Sequence, residues 1–259
     1  MHINRYKKVA IDAALKAGAF INRHVGKIKE IRYKGEINVV TDIDTGAEEI
    51  IVRTIGKVCP GHTFFAEEGK YGKGASDFTW IIDPLDGTTN FLHGFPFFCV
   101  SIALAYCGRI IMGVVYDPSK NELFHAARTQ GAFLNRSAIA VSKASRIDRS
   151  LLATGFAYNV KRVRNNNIKN FVNFLKASQG IRRGGSAALD LCYVACGRFD
   201  GFWELFLNPW DTAAGALIVD EAGGKISKFD GSKYNVYDKN IIASNSLIHS
   251  KMVRILSKD

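Results

Sequence analysis

A chain of 259 residues with 47% hydrophobic content can bury a full core and sits near the length at which one domain begins to divide into two. No stretch approaches the roughly 18 uninterrupted apolar residues of a membrane span, and Met1-His2-Ile3-Asn4-Arg5 lacks the apolar centre of a secretion signal, so a cytosolic, two-lobed unit is expected. The 35 Lys and Arg against 24 Asp and Glu leave +11, which favours polyanionic partners, phosphorylated metabolites or RNA, or merely faces solvent; charge alone does not choose among these.

Residues 4–24 carry Val9, Ala10, Ala13, Ala14, Ala17 and Ile21 at helical spacing between basic residues, which predicts an amphipathic first helix. The loop Lys34-Gly35-Glu36-Ile37-Asn38 follows, then Val39-Val40-Thr41-Asp42-Ile43-Asp44. Thr45 and Glu48 have capping-box spacing ahead of the stripe Ala47, Ile50, Ile51, Ile55 and Val58, so a second helix is expected to start there. Asp42 and Asp44 then stand at its positive end, as caps or as functional acids. Thr63-Phe64-Phe65-Ala66 predicts a strand running into Glu67-Glu68-Gly69, and residues 70–76 a basic loop.

Residues 78–82 predict a buried strand that stops at Asp83 and turns at once through Pro84-Leu85-Asp86-Gly87-Thr88. A carboxylate at the end of an apolar strand is costly unless it is paired or binds something. Asp83 and Asp86, three apart, can aim two hard oxygen donors at one point beside the Leu85 carbonyl and the Thr88 hydroxyl. That ligand set suits a divalent cation such as Mg²⁺; a solvated turn is the alternative.

Strands follow over residues 99–106 and 110–116, joined by Cys107-Gly108-Arg109, and further antiparallel strands over 121–134 complete an α+β lobe, residues 1–145. The second lobe, residues 146–259, alternates strands (180–183, 201–204, 241–244) with helices (165–178, 186–196, 210–221, 246–257) and is α/β. Arg182-Arg183-Gly184-Gly185-Ser186 joins a strand to a helix start, either an anion or hydroxyl site or a turn with a Ser cap. Asn208-Pro209-Trp210-Asp211 also opens a helix with an acid. Cys59, Cys99, Cys107, Cys192 and Cys196 form no Cys-x-x-Cys pair and are expected as reduced core residues. Cys192 and Arg198 have the Cys-x5-Arg spacing of tyrosine phosphatases, but Tyr193-Val194-Ala195-Cys196 between them is helical in pattern, which removes the phosphate loop that chemistry needs.

Taken together, Glu67-Glu68, Asp83-Pro84-Leu85-Asp86-Gly87-Thr88 and Trp210-Asp211 resemble the inositol monophosphatase family of Mg²⁺-dependent, Li⁺-sensitive phosphatases. The resemblance continues through Asn90-Phe91-Leu92-His93-Gly94, Gly185-Ser186-Ala187-Ala188 and Glu221-Ala222-Gly223-Gly224, and so covers the chain from about Lys34 onward. It implies a layered αβαβα sandwich of the inositol monophosphatase and fructose-1,6-bisphosphatase type, and a homodimer. It also implies two or three Mg²⁺ ions held by Glu67, Asp83, the Leu85 carbonyl, Asp86 and Asp211, with Asp44, Thr88 and Glu67 activating water.

By the same resemblance Asp86, Gly87, Thr88, Gly185, Ser186, Ala187, Glu204 and Asp211 contact the phosphate ester, and Lys34 lies in a loop closing over the metals. Glu68, Arg182 and Arg183 are further candidates, the arginines for a second phosphate if the substrate is fructose 1,6-bisphosphate. One departure falls in Thr154-Gly155-Phe156-Ala157-Tyr158-Asn159, where many bacterial members carry proline and aspartate in place of Ala157 and Asn159. A bacterial branch of the family also binds transcription elongation machinery. A basic stripe remote from the metal cleft would support an RNA or ribonucleoprotein role of that kind, whereas basic residues around the cleft would support substrate steering.

Overall fold

In the computed structural model, which describes residues 3–27, 31–33, 39–71, 76–157, 160–164 and 166–257, helical and strand periodicities sort into five layers. The outermost layer pairs α1 (Ile3–His24) with α2 (Asp42–Val58), and a two-stranded ribbon, β1 (Ile31–Tyr33) against β2 (Val39–Thr41), lies between them in sequence. The next layer is an eight-stranded sheet. Its strands are β3 (Thr63–Ala66), β4 (Lys70–Tyr71), β5 (Phe78–Asp86), β6 (Cys99–Tyr106), β7 (Arg109–Asp117), β8 (Glu122–Ala127), β9 (Ala132–Leu134) and β10 (Ser137–Ile139), in the order β10-β9-β8-β7-β6-β5-β3-β4. A short helix, α3 (Thr88–Leu92), follows β5.

A five-stranded sheet is built from β11 (Leu151–Thr154), β12 (Gly180–Arg182), β13 (Gly201–Leu205), β14 (Lys225–Ser227) and β15 (Asn240–Ser244), in the order β12-β11-β13-β15-β14. Its outer face carries α4 (Ile168–Ala177) and α7 (His249–Leu256). Between the sheets lie α5 (Ala187–Ala195) and α6 (Pro209–Glu221). The result is the expected αβαβα sandwich of mixed α/β class.

Alternation along the central strands assigns the core. Trp80, Ile82, Val100, Ile102, Leu104, Met112 and Val114 face α1 and α2, while Ile81, Ala103, Ala105 and Val115 face α5 and α6. Both faces are covered, which is why these strands are apolar throughout instead of alternating with polar residues. Helix α6 seats on the sheet at Gly113, where a Cβ would stand 2.8 Å from the Ala214 carbonyl oxygen. No helix among the described residues is long and apolar enough to cross a membrane.

Four local expectations need correction. Helix α2 begins at Asp42, not Thr45, and Glu48 is no cap: it is fully buried and its Oε2 accepts a hydrogen bond from the Glu68 N–H (2.9 Å). Strand β5 does not stop at Asp83 but runs to Asp86, with the pairing to β6 irregular between those two residues. Pro84, which has no N–H to donate, sits in that irregularity, where a ladder bond is missing anyway. Cys107 is exposed, at φ 48 in the β6–β7 turn, so only part of the cysteine set is core; all five are free thiols. The basic loop after Gly69 begins as strand β4, and Lys34 together with the rest of 34–38 lies outside the described residues.

Candidate active site

Parallel pairing of β3 with β5 ends at Ala66 beside Ile82, so the next residues, Glu67 just past β3 and Asp83 in β5, lie side by side at one end of that pairing; the Glu67 N–H bonds the Ile82 carbonyl at 3.1 Å. The second sheet delivers its own edge in the same way. β11 runs parallel to both β12 and β13, with Ala153 beside Arg182 and Thr154 beside Trp203, which brings Gly155, Arg183 and Glu204 to matching strand ends. The two edges enclose a cleft of ≈ 180 Å³ lined by Glu67, Asp83, Leu85, Asp86, Gly87, Thr88, Gly155, Phe156, Ala157, Arg183, Gly185, Ser186, Ala187, Glu204 and Asp211 among others. Ligands commonly bind outside the carboxyl ends of parallel strands for this reason.

On the first edge, Asp83 is buried and its Oδ1 accepts the Leu85 N–H (3.0 Å). Burial, and then the charges of Glu67, Asp86 and Asp211, push its carboxyl well above the usual range, against that one amide. Asp86 is pushed up to about 6 by burial, opposed by hydrogen bonds from the Ser186 hydroxyl (2.7 Å) and the Ala188 N–H (2.8 Å). Asp211 is raised by burial and then by Asp86, while its Oδ2 accepts the Asn208 N–H (2.7 Å) in a capping box. It is therefore both a helix cap and a member of the acidic cluster. The Thr88 hydroxyl lies 3.0 Å from Asp44 Oδ1 and 3.0 Å from the Leu85 carbonyl, and Asp44 is 2% exposed in the first turn of α2.

Among the described residues no three acidic, histidine or cysteine side chains converge into a ready-made metal cage. The fit to a metal rests instead on donor chemistry: carboxylates and a carbonyl are hard oxygen donors, and acids that raise one another's proton affinity are relieved by a divalent cation.

On the second edge, Glu204 is buried, 8% exposed. Burial and then the charge of Asp86 push it up to about 8, opposed by Arg183. Gly155 gives it room, since a Cβ there would stand 2.2 Å from Glu204 Oε1. Ser186 combines both of its possible roles, accepting the Leu189 N–H as N-cap of α5 while donating to Asp86.

The predicted residues gather in this cleft with few exceptions. Glu68, Arg182 and Asp44 do not line it: the Glu68 amide is tied to Glu48, Arg182 is exposed with its guanidinium on the Ile181 carbonyl, and Asp44 reaches the cleft through the Thr88 hydroxyl. Ala157 is in the lining, while Tyr158 and Asn159 lie outside the described residues. Sequence reasoning passed over Asn167, which braces Gly155, and Asp190, a buried acid whose Oδ1 has no hydrogen-bond partner and whose carboxyl is raised by burial, Glu204 and Asp86. Asp190 reads as an ordinary polar position of α5, and only the fold places it under the cleft.

A model of the inositol monophosphatase family matches residues 3–258. The chain is 46% identical to an inositol-1-monophosphatase of Synechocystis over 98% of its own length and 90% of that protein. It is 42% identical to the Nus factor SuhB of Pseudomonas aeruginosa over 92% of its length and 90% of that protein. The solved structure of inositol monophosphatase from Anabaena superposes with a TM-score of 0.91 at 40% identity, covering 99% of this chain and 96% of that one.

Proposed function

The chain belongs to the inositol monophosphatase family, and from that premise we propose that this phosphatase hydrolyses myo-inositol 1-phosphate or a related sugar phosphate in the cleft between Asp83 and Glu204. The observation that carries the reading is the division of one cleft into two halves: mutually repelling buried carboxylates on one side, and Glu204 as the one acid in the lining of the other. Glu67, Asp83, the Leu85 carbonyl, Asp86 and Asp211 would hold Mg²⁺. When bound, the ions supply positive charge that lowers the pKa of water and neutralises the phosphoryl oxygens.

The chain's own groups do the rest. Thr88, donating to Asp44, can accept a hydrogen bond from a water in the cleft; as the water's proton moves to the hydroxyl oxygen, the hydroxyl's own proton moves to the Asp44 carboxylate, which is the base and is neutralised. Gly87 and Thr88 offer backbone N–H groups to the phosphate at the start of α3. Ser186 and the Ala188 amide fix one oxygen of Asp86, leaving the other to face the cleft. Glu204 and the Gly185–Ala187 segment take the hydroxyls of the leaving alcohol, and Arg183 stands at the same end.

A panel of phosphate esters assayed for phosphate release with Mg²⁺ tests the proposal: fastest turnover on inositol 1-phosphate supports it, and preference for fructose 1,6-bisphosphate would transfer the site to that substrate, with Arg183 on the second phosphate. A homodimer is proposed on the same footing and is measured by sedimentation.

One observation favours a second role. A groove of ≈ 730 Å³ between α1 and α2, sharing no residue with the cleft, is lined by Lys16, Arg23, Arg53 and Lys57 against the single acid Asp12. This basic surface, with relatives named Nus factor SuhB, supports contact with RNA or a ribonucleoprotein. Salt-dependent binding of single-stranded RNA, lost on reversing Arg53 and Lys57 to Glu with phosphatase activity retained, would establish it.

A further inference from the structure

Asn167 precedes α4 in the left-handed region (φ 69), a conformation Asn tolerates, and it is 3% exposed. Its carboxamide uses every hydrogen-bonding position it has. Nδ2 donates to the Thr154 hydroxyl (2.9 Å) and to the Gly155 carbonyl (2.8 Å), while Oδ1 accepts from the Trp203 indole (2.9 Å) and from Asn170 Nδ2 (3.2 Å). The Thr154 hydroxyl closes the ring by donating to the Trp203 carbonyl (2.6 Å). One side chain thus ties the ends of β11 and β13 to the start of α4.

What those strand ends carry gives the ring its consequence. Trp203 precedes Glu204, and Gly155 is the residue against which the Glu204 carboxylate packs, so closely that a Cβ on Gly155 would stand 2.2 to 2.3 Å from its carboxyl atoms. The position of the Gly155 backbone therefore decides where the carboxylate can lie, and the Asn167 amide holds that backbone by its carbonyl. Gly155 leads directly into Phe156 and Ala157 of the cleft wall. None of these four bonds of Asn167 reaches Asp83, Asp86 or Thr88 at the other end of the cleft.

We propose that Asn167 is a positioning residue for leaving-group selectivity: by fixing Gly155 it aims Glu204 at the hydroxyls of the alcohol, without touching the phosphoryl half of the site. The inference rests on Glu204 reading those hydroxyls, as proposed above.

Two variants perturb the device by different routes. Asn167→Asp keeps the shape and the acceptor for Trp203 but removes both donors. Gly155→Ala leaves all of the Asn167 bonds possible, needs no left-handed backbone, and displaces the flexible end of Glu204. Each should raise KM for myo-inositol 1-phosphate about tenfold with kcat little changed, and leave an aryl phosphate without hydroxyls within about twofold of wild type. In a Glu204→Gln background neither should add a further loss, because the group they aim is already altered.

Losses shared equally by both substrates, or losses fully additive with Glu204→Gln, would overturn the inference; should Asn167→Asp fail to fold, Asn167→Gly, which suits the left-handed backbone at φ 69 and deletes the amide, is held to the same outcomes. The underlying assignment is separable: if Glu204→Gln itself discriminates between the substrates and the other two variants do not, only the role of Asn167 falls.

Discussion

Replacing Glu204 by Gln in metal-free protein should stabilise the fold, and increasingly so as the pH rises. The structure supplies the magnitude. The carboxyl is buried beside Asp86, and its pKa moves from 4.5 to about 8. An acid whose folded pKa is raised binds more protons folded than unfolded over that interval, so stability is fully present below pH 4.5 and is lost as the pH climbs through about 8. At about 1.4 kcal/mol per pKa unit the integrated loss has a ceiling of about 5 kcal/mol, and relaxation of a real site brings it to about half that.

Gln at this position carries no ionisable group and escapes the penalty. Urea unfolding in EDTA at pH 5 and pH 8.5, for wild type and Glu204→Gln, should therefore give a stability difference larger by about 2 kcal/mol or more at the higher pH. Asp190 and Asp211 are raised in part by the Glu204 charge, so the pH-dependent difference reports the Glu204 carboxylate together with its repulsion of those two acids. An equal difference at both pH values would refute the reasoning, because it would mean that the folded protein accommodates the charged carboxylate as well as water does.

Asp83→Asn should leave turnover at saturating Mg²⁺ below a tenth of wild type, a loss exceeding ~1.4 kcal/mol, while raising thermal stability in metal-free buffer by removing a buried like charge; retained turnover would remove Asp83 from the metal set. Ca²⁺ should inhibit in competition with Mg²⁺, since it takes more ligands at longer distances, and Li⁺ should inhibit by family membership; full activity with Ca²⁺ alone would contradict the first. Gly113→Ala should cost about 1–3 kcal/mol in urea unfolding, because its Cβ meets the backbone of Ala214 in α6, and a change below about 0.5 kcal/mol would show that the helix can shift freely.

Much of this protein follows from short-range pattern. Residues 3–24 announce a helix through their alanine stripe, and strands β3 and β5 announce themselves as apolar runs, because periodicity and burial act within a few residues. The acids that end those runs stand out for the same local reason: Glu67 and Asp83 follow residues with no polar company, and a carboxylate there demands an explanation. The order of the three acidic motifs then identified the family.

Tertiary structure decided what those acids face and what holds them. Thr45 and Glu48 satisfy the capping rule, yet Glu48 is buried against the Glu68 amide, twenty residues away, and the helix begins at Asp42 so that Asp44 meets the Thr88 hydroxyl. Glu204 looks like a surface acid until parallel pairing of β11 with β13 lays Gly155 over it. Asn167 sits in a polar run with nothing to mark it, and its worth lies entirely in contacts with Thr154, Gly155 and Trp203. A sequence specifies which groups exist and how the nearest neighbours fold, but the field at a buried carboxylate is set by charges brought together across two sheets, and that sum exists only once the layers have closed.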